Sequence, residues 1–318
     1  MKIIFFGTPE LAVPTLKKIS ASHDVVAVVT QPDTLFGRKQ ILTPAPIAEA
    51  AKELGLTVLK PEKLTDEIRE QLLKLNADLF VTFAYGKIFK AEFLKICPKG
   101  GVNIHPSLLP SYRGASPIQS ALLNGESRSG ISVQQIALEV DSGDILKCED
   151  FSILPDDDAV TIEEKVAVLA SDLIESVLNE IENGTSERMK QDSSKATFCR
   201  MISKNDGNID WNTNVNSIFN KVRAFAKWPI ASTMLDGKKL NIHKAGISNM
   251  ENSGTPCGTV ICADKKKGIH IQCADGVLEI KELQLAGKNK LKAVDFLNGY
   301  RNLAGKCLAS FGQNIQEK

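Results

Sequence analysis

The stretch Lys2-Ile3-Ile4-Phe5-Phe6-Gly7-Thr8-Pro9 decides the fold of the first half of the chain. A short apolar run that is closed by a glycine predicts a buried strand over Lys2–Phe6. Thr8 can cap a following helix, and Pro9 suits a first helical position because no amide hydrogen is needed there. A strand that leads directly into a helix is typical of α/β proteins, so a mostly parallel sheet is expected.

The alternation of strand and helix signals continues along the chain. Strands are predicted at 25–30, 56–59, 78–83 and 101–105, and helices at 46–54 and 65–75. A strand pair at 131–137 and 145–153 predicts an appended hairpin, and the capping box at 161–164 predicts the start of a helix that ends near 181. The first domain, 1–184, is therefore predicted to be α/β with a Rossmann-like, mostly parallel sheet.

The sequence changes character after residue 184. Residues 185–203 are polar without clear periodicity, which predicts a linker. Beyond them, a helix is expected at 214–226, followed by short strands separated by glycine turns such as Asp236-Gly237 and Lys267-Gly268. Regular short strands of this kind predict a small OB-like β-barrel, so residues 204–318 form the second predicted domain.

Composition excludes several classes of protein. Hydrophobic residues make up 43% and charged residues 24% of the 318 residues, which argues against a disordered or fibrous chain. The formal net charge is only +1. Its distribution is uneven, because residues 1–203 carry 22 basic and 28 acidic side chains, whereas the remainder carries 17 and 10. The basic second half raises the question of a polyanionic partner, although a solvated lysine-rich surface gives the same count.

Cysteines and hydropathy indicate the compartment. The seven cysteines are scattered and form no Cys-x-x-Cys pair, which favours reduced thiols and predicts no metal site. No apolar stretch approaches the roughly 20 residues of a membrane span. We therefore expect a cytoplasmic protein that does not enter a membrane.

The sequence does not match two common nucleotide-binding motifs. The turn after the first strand contains one glycine where a dinucleotide fingerprint needs three, and Pro9 removes an amide that could hold phosphate. No Walker-type phosphate loop is present in the sequence. A nicotinamide-dependent oxidoreductase is therefore disfavoured.

The best candidate for chemistry is Asn103-Ile104-His105-Pro106, at the carboxyl end of a predicted parallel strand, where open α/β sheets place ligands. Residues two apart on a strand point to the same face, so the amide of Asn103 and the imidazole of His105 share one side. Together they can hold a negatively charged oxygen and handle a proton. An isolated pair of this kind can also be merely structural.

Two neighbouring segments strengthen the catalytic interpretation. The loop Ser107-Leu108-Leu109-Pro110 is apolar and rigid, which suits a flat heterocycle better than a phosphate. The acidic loop 139–144 contains Asp141, whose carboxylate can orient and charge an imidazole, although an Asp-Ser-Gly sequence is also a common turn.

These segments together resemble the folate-dependent formyltransferases. Further matching motifs run in order through the chain; they are Phe6-Gly7-Thr8-Pro9, Thr30-Gln31-Pro32-Asp33, Ala84-Tyr85-Gly86, Arg113-Gly114, Ile209-Asp210-Trp211 and Trp228-Pro229. The Thr30–Asp33 loop and the later motifs resemble the branch of the family that formylates methionyl initiator tRNA.

The resemblance implies a reaction and a catalytic set. The α-amine of methionyl initiator tRNA would attack the formyl carbon of 10-formyltetrahydrofolate, the co-substrate. Asn103 would donate to the developing oxyanion, and His105 would stabilise the same charge. Asp141 would orient His105, raise the pKa of its imidazole and assist proton movement.

The resemblance also implies binding residues. The folate is expected against Ser107, Leu108, Leu109 and Pro110, with Tyr85, Gly86, Ile88 and Val140 on its pterin side. The tRNA is expected to contact Arg38, Lys39, Arg223 and Lys288. The loop 31–46 departs from the family pattern, because only Arg38-Lys39 stands where a larger basic cluster is common.

Two alternatives remain open at this stage. The same Asn/His/Asp set also serves enzymes that formylate amino sugar nucleotides, although these lack the Thr30–Asp33 loop. A catalytically inactive nucleic-acid-binding module is the other alternative, and the intact catalytic set argues against it. We expect a monomer, because no amphipathic stretch is left over once two cores are filled.

Overall fold

The computed structural model describes residues 1–37 and 40–309. The chain divides into two compact units. The first contains Met1–Pro117, Arg128–Ile153 and Ile162–Arg200, and the second contains Ile118–Ser127, Leu154–Thr161 and the chain from Met201 onward. The predicted linker 185–203 thus overlaps the first unit up to Arg200, and the predicted domain boundaries stay a prediction.

The first unit is built on a seven-stranded sheet. Its strands, together with two short pairs, are β1 (Lys2–Gly7), β2 (Asp24–Val29), β3 (Thr34–Phe36), β4 (Ile41–Thr43), β5 (Val58–Leu59), β6 (Leu79–Phe83), β7 (Gly101–His105), β8 (Arg113–Gly114), β9 (Arg128–Gln135), β10 (Ile145–Ser152) and β11 (Phe198–Cys199). The order in the main sheet is β10-β9-β7-β6-β1-β2-β5; β9 pairs antiparallel with β7 and β10, and the other pairings are parallel. The mostly parallel sheet and its appended hairpin are therefore confirmed.

The helices alternate with these strands as the sequence pattern predicts. Those in the described residues are α1 (Val13–Ser22), α2 (Pro46–Glu53), α3 (Asp66–Leu73), α4 (Pro117–Leu123), α5 (Ala159–Asn183), α6 (Val215–Ala224) and α7 (Ala293–Gly299). In the described part of the chain, no helix is long and apolar enough to cross a membrane.

Two predicted helix starts are wrong. A short 3-10 turn, Glu10–Ala12, precedes α1, and the Thr8 hydroxyl donates to the Tyr85 carbonyl instead of capping a helix. Helix α5 begins at Ala159, because the Asp158 carboxylate accepts hydrogen bonds from the amides of Val160 and Thr161 and so caps the helix three residues before the predicted cap, Thr161.

The core of the first unit is formed by fully apolar strands. Every residue of β1 from Ile3 to Gly7, and all of β6, is buried. The rings of Phe6, Phe80 and Phe89 pack at centroid distances of 5.1–5.6 Å beside them. This buried centre fixes the carboxyl ends of β6 and β7, where the candidate site lies.

The second unit contains an antiparallel sheet of six strands. They are β12 (Ala231–Leu235), β13 (Lys238–Ile247), β14 (Val260–Asp264), β15 (Gly268–Gln272), β16 (Val277–Leu285) and β17 (Leu291–Lys292), in the order β12-β13-β16-β15-β14 with β17 on β16. Trp211 lies fully buried in its core, and its indole nitrogen donates to the Thr233 hydroxyl. An antiparallel β domain is therefore confirmed where the sequence predicts a small OB-like β-barrel.

Candidate active site

Three polar side chains that are distant in the sequence converge at the end of β7. Asn103 and His105 lie two residues apart on that strand, and Asp141 comes from the loop between β9 and β10. The Asn103 amide nitrogen donates to Oδ1 of Asp141 over 3.2 Å, and Nδ1 of His105 lies 3.4 Å from Oδ2. The structure therefore brings together the three side chains that the sequence predicts as catalytic.

The Asp141 carboxylate is surrounded by donors. In addition to Asn103, the side-chain amide of Gln134 donates to Oδ1 over 2.9 Å, and the backbone amide of Gly114 donates to Oδ2 over 2.8 Å. The Asp141 side chain is 12% exposed. Donors on both oxygens fix the plane of the carboxylate.

The backbone of the loop is strained around Asp141. This residue has φ +50°, a left-handed conformation that costs a non-glycine residue free energy. Two residues later, a Cβ on Gly143 would lie only 1.8 Å from the carbonyl oxygen of Gln135. The loop therefore approaches β9 so closely that only glycine fits at position 143.

The His105 imidazole is held on both sides. Its Nε2 atom lies 2.8 Å from the carbonyl oxygen of Tyr112, so Nε2 carries a hydrogen that it donates to that oxygen. Burial lowers the pKa of the imidazole, and the Asp141 carboxylate and the Tyr112 carbonyl only partly oppose this shift. Asp141 acts in the expected direction, because its charge raises the pKa of the imidazole, but burial outweighs that charge and the pKa is lowered on balance.

The orientation of the Asn103 amide is fixed by a neighbour on β6. The Thr82 hydroxyl donates to Oδ1 of Asn103 over 3.1 Å, so the amide nitrogen faces Asp141. An amide nitrogen carries two hydrogens, and one is used by Asp141. The other is available to an oxygen of a bound substrate. Sequence reasoning missed Thr82, because one threonine in a buried strand gives no functional signal.

The predicted folate loop 107–110 is largely engaged within the protein. The Ser107 hydroxyl is buried and donates to the Ser111 carbonyl over 2.6 Å, and the Leu109 amide donates to the hydroxyl of Ser132. Leu108 lies against Gly130, and the Pro110 carbonyl accepts from the Thr197 amide. This segment presents a fixed shape, and its one hydroxyl is already bound.

The predicted pterin-side residues separate into two groups. Tyr85 is buried against Phe6 and Phe89, and burial raises the pKa of Tyr85 to about 12, so its ring belongs to the core. Gly86 follows with φ +80°, a conformation that favours glycine. Ile88 and Val140 are 76% and 48% exposed, so their side chains are the two that can touch a ligand.

The predicted tRNA-binding residues also differ from one another. Arg38 and Lys39 lie outside the described residues. The guanidinium of Arg223 stacks on Phe219 and donates to the carbonyl oxygens of Leu154 and Asp157, so it holds the second unit together internally. Lys288 is exposed in the turn after β16, where its charge faces solvent.

Residues of the predicted linker contact the segments that carry the site. Strand β11 pairs with β8 in parallel register, and the Thr197 hydroxyl accepts from the Tyr112 amide over 2.8 Å. Gln191, from the same segment, is buried and contacts the loop that carries Asp141. Sequence reasoning missed these residues because their neighbours are polar and aperiodic.

The charged residues of the site do not form a metal centre. Among the residues that the structure describes, no group of three His, Cys, Asp or Glu side chains is arranged to hold a metal ion. The site contains a carboxylate, an imidazole and a primary amide, which together bind a developing negative charge and exchange a proton.

Comparison with known protein families shows to which family this chain belongs. Residues 1–178 match the formyl transferase family, and residues 201–301 match the C-terminal domain of formyl transferases. The chain belongs to the formyl transferase family. A relative from Geobacter metallireducens, described as a methionyl-tRNA formyltransferase, is 43% identical over 305 residues, which cover 95% of this chain and 96% of the relative.

Solved structures show the same fold. The methionyl-tRNA formyltransferase from Clostridium thermocellum superposes with a TM-score of 0.57 at 17% identity, covering 79% of this chain and 95% of that chain. HypX from Aquifex aeolicus in complex with tetrahydrofolic acid gives a TM-score of 0.63 at 16% identity over 96% of this chain. The chain spans about half the length of HypX, 48% of that chain.

Proposed function

We propose that this chain transfers the formyl group of 10-formyltetrahydrofolate to the α-amino group of methionyl initiator tRNA. The observation that supports this most directly is the convergence of Asn103, His105 and Asp141 around one point at the end of β7. The near full-length similarity to a methionyl-tRNA formyltransferase supports the choice of substrates.

The reaction exchanges one carbon–nitrogen bond for another. The methionyl nitrogen bonds to the formyl carbon, the bond from that carbon to N10 of the folate breaks, and one proton passes from the amine to N10. Negative charge develops on the formyl oxygen in between. Asn103 stabilises this charge by donating to the formyl oxygen, because its amide has one hydrogen that Asp141 does not use. The orientation of the amide is fixed by Thr82.

The proton is handled by the pair of His105 and Asp141. Since Nε2 of His105 keeps its hydrogen on the Tyr112 carbonyl, Nδ1 is the atom that gains a proton. The Asp141 oxygen 3.4 Å away stabilises the imidazolium that forms. The pair takes the proton from the attacking amine and returns it to N10 as the bond there breaks.

The binding residues follow from exposure. Ile88 and Val140 offer exposed apolar side chains to the folate, and Leu108 offers a partly exposed one from the loop 107–110. The other predicted folate-site residues act by fixing the shape of the backbone; they are Ser107, Leu109, Pro110, Tyr85 and Gly86. Lys288 and the pair Arg38-Lys39 contact the tRNA through phosphates.

The test is formyl transfer to defined acceptors. Purified protein is mixed with 10-formyltetrahydrofolate, labelled in the formyl group, and either methionyl initiator tRNA or an amino sugar nucleotide. Label on the tRNA alone is expected. Label on the sugar nucleotide would support the alternative enzyme, and label on neither acceptor would support a nucleic-acid-binding module without catalysis.

We also propose that the chain acts as a monomer in the cytoplasm. Sedimentation at micromolar concentration is expected to give one species of 34.6 kDa, and a dimer would overturn this proposal. Fractionation of cells is expected to place the protein with the soluble translation factors.

A further inference from the structure

We infer, on the basis of the proposed function, that three buried side chains form a relay that positions Asp141 for proton transfer. They are Arg113 on β8, Gln191 in the segment before β11 and Gln134 on β9. Their exposed fractions are 3%, 7% and 1%. Gln191 lies between the two stretches that match the formyl transferase family, 1–178 and 201–301.

Gln191 binds two backbone carbonyl groups of the loop that carries the Asp141 carboxylate. Its amide nitrogen lies 2.9 Å from the carbonyl oxygen of Asp141 and 2.7 Å from that of Gly143. The two amide hydrogens serve these two carbonyls at the shorter distances, and a third acceptor, Oε1 of Gln134, lies farther from the same nitrogen. Two carbonyl groups of the strained loop are thus held by one buried side chain.

Arg113 determines which way the Gln191 amide points. Its Nε and Nη2 atoms lie 3.1 Å and 2.8 Å from Oε1 of Gln191. A guanidinium has only donors, so Arg113 donates to the amide oxygen of Gln191 and cannot bind its amide nitrogen. The nitrogen of Gln191 is therefore forced towards the carbonyls of the loop.

The Asp141 carboxylate accepts hydrogen bonds from Gln134, which contacts Gln191, and from Gly114, which follows Arg113 in the chain. Gln134 donates to Oδ1 of Asp141, and its own Oε1 atom lies 3.2 Å from the amide nitrogen of Gln191. Gly114, which follows Arg113 in the chain, donates its backbone amide to Oδ2. The relay and its flanking amide thus contact the backbone carbonyl and both carboxylate oxygens of Asp141.

The relay offsets the strain at Asp141. A left-handed backbone at a non-glycine residue persists only where the surroundings hold it in place. Without donors at position 191, the carbonyl groups of Asp141 and Gly143 would be buried without partners, which is costly. The loop would relax, and the carboxylate would leave its position 3.4 Å from His105. Gln191 is therefore a positioning residue that acts through Asp141.

The test is the variant Gln191→Glu in two backgrounds. Glutamate keeps the size of the side chain and still accepts from Arg113, but it turns an oxygen towards the two loop carbonyls. In the otherwise native chain, kcat for formyl transfer is expected to fall by about tenfold or more, with the KM for tRNA changed by less than about twofold. In the Asp141→Asn background, the same change is expected to lower kcat by less than about twofold, because the partner through which it acts is already lost.

The matched control is Gln71→Glu, the same substitution at an exposed position on α3. Its kcat is expected to stay within about twofold of the native value. A second variant, Arg113→Met with Gln191→Met, removes the relay without leaving a buried charge unpaired. It is expected to lower kcat by about tenfold or more as well, and circular dichroism and thermal unfolding monitor its fold.

The outcomes separate the relay from the proposed function. If Gln191→Glu lowers kcat by the same factor in both backgrounds, or leaves it within about twofold in the native chain, the relay is overturned while formyl transfer stands. If the native chain transfers no formyl group to methionyl initiator tRNA, the proposed function is overturned, and the relay with it.

Discussion

The Nδ1 atom of His105 lies 3.4 Å from Oδ2 of Asp141, while the opposite nitrogen of the ring is bound to the Tyr112 carbonyl. Only Nδ1 can therefore change its protonation state without breaking a hydrogen bond. Burial lowers the pKa of this imidazole, so the ring is neutral and ready to accept a proton at neutral pH. This single contact explains why the two residues must be treated as one acid–base unit.

The pH profile tests this unit. In the proposed mechanism the neutral ring accepts the proton, so formyl transfer is expected to fall as the pH falls through the lowered pKa of His105. The Asp141 carboxylate raises that pKa, so Asp141→Asn removes the opposing influence and lowers the pKa further. The acidic limb of kcat is therefore expected to move to lower pH, measured with one tRNA preparation so that the methionyl amine contributes equally. A limb that stays in place or moves upward would contradict the pairing.

Loss of the amide donor should slow the chemical step. Asn103→Ala removes the hydrogen available to the formyl oxygen, and one lost oxyanion donor costs about 2.7–4 kcal/mol of barrier. Single-turnover transfer is expected to fall by about a hundredfold or more, with the free energy of unfolding nearly unchanged. Asn183→Ala, at the exposed end of α5, is the control. A rate for Asn103→Ala near that of the control would remove Asn103 from its role.

The glycine in the acidic loop is expected to be essential for the site. In Gly143→Ala the new Cβ would lie 1.8 Å from the backbone oxygen of Gln135, so the loop must move. We expect kcat to fall by about tenfold or more and chemical denaturation to show a loss of about 1–3 kcal/mol. Gly299→Ala is the matched control, because a Cβ there meets no atom within 4 Å. Equal behaviour of the two variants would show that the loop tolerates the displacement.

Lys288 and Arg223 should respond in opposite ways. Lys288→Ala removes an exposed charge, so the KM for tRNA is expected to rise and the slope of log affinity against log salt to fall by about one unit, with stability unchanged. Arg223→Ala removes the hydrogen bonds to the Leu154 and Asp157 carbonyls and the packing on Phe219, so it is expected to lower the melting temperature. A salt slope that changes only in Arg223→Ala would reverse this assignment.

Side chains that define the strands could be predicted from the sequence. The apolar run in β1 and the spacing of Asn103 and His105 predict burial and a shared face, because the period of a strand is two. The meeting of Asp141 with these residues follows from the resemblance, since a loop between two strands gives no distance by itself.

The sequence could not predict the contacts that main-chain atoms make, or those of the aperiodic segment 185–203. The carbonyl of Tyr112 binds His105, and any residue type supplies a carbonyl. Gln191 stands among polar neighbours that match a linker composition. Ser107 and Tyr85 have chemistry suited to ligands, yet burial against their own unit uses or hides their polar atoms.

The parallel pairing of Phe198–Cys199 with Arg113–Gly114 has a practical consequence for protein engineering. A fragment that stops at residue 178, where similarity to the N-terminal family region ends, would lack this strand and the glutamine before it. The isolated catalytic half would then retain every predicted catalytic side chain and still be defective. A fragment that keeps this strand has to reach Arg200, the last residue of the first compact unit.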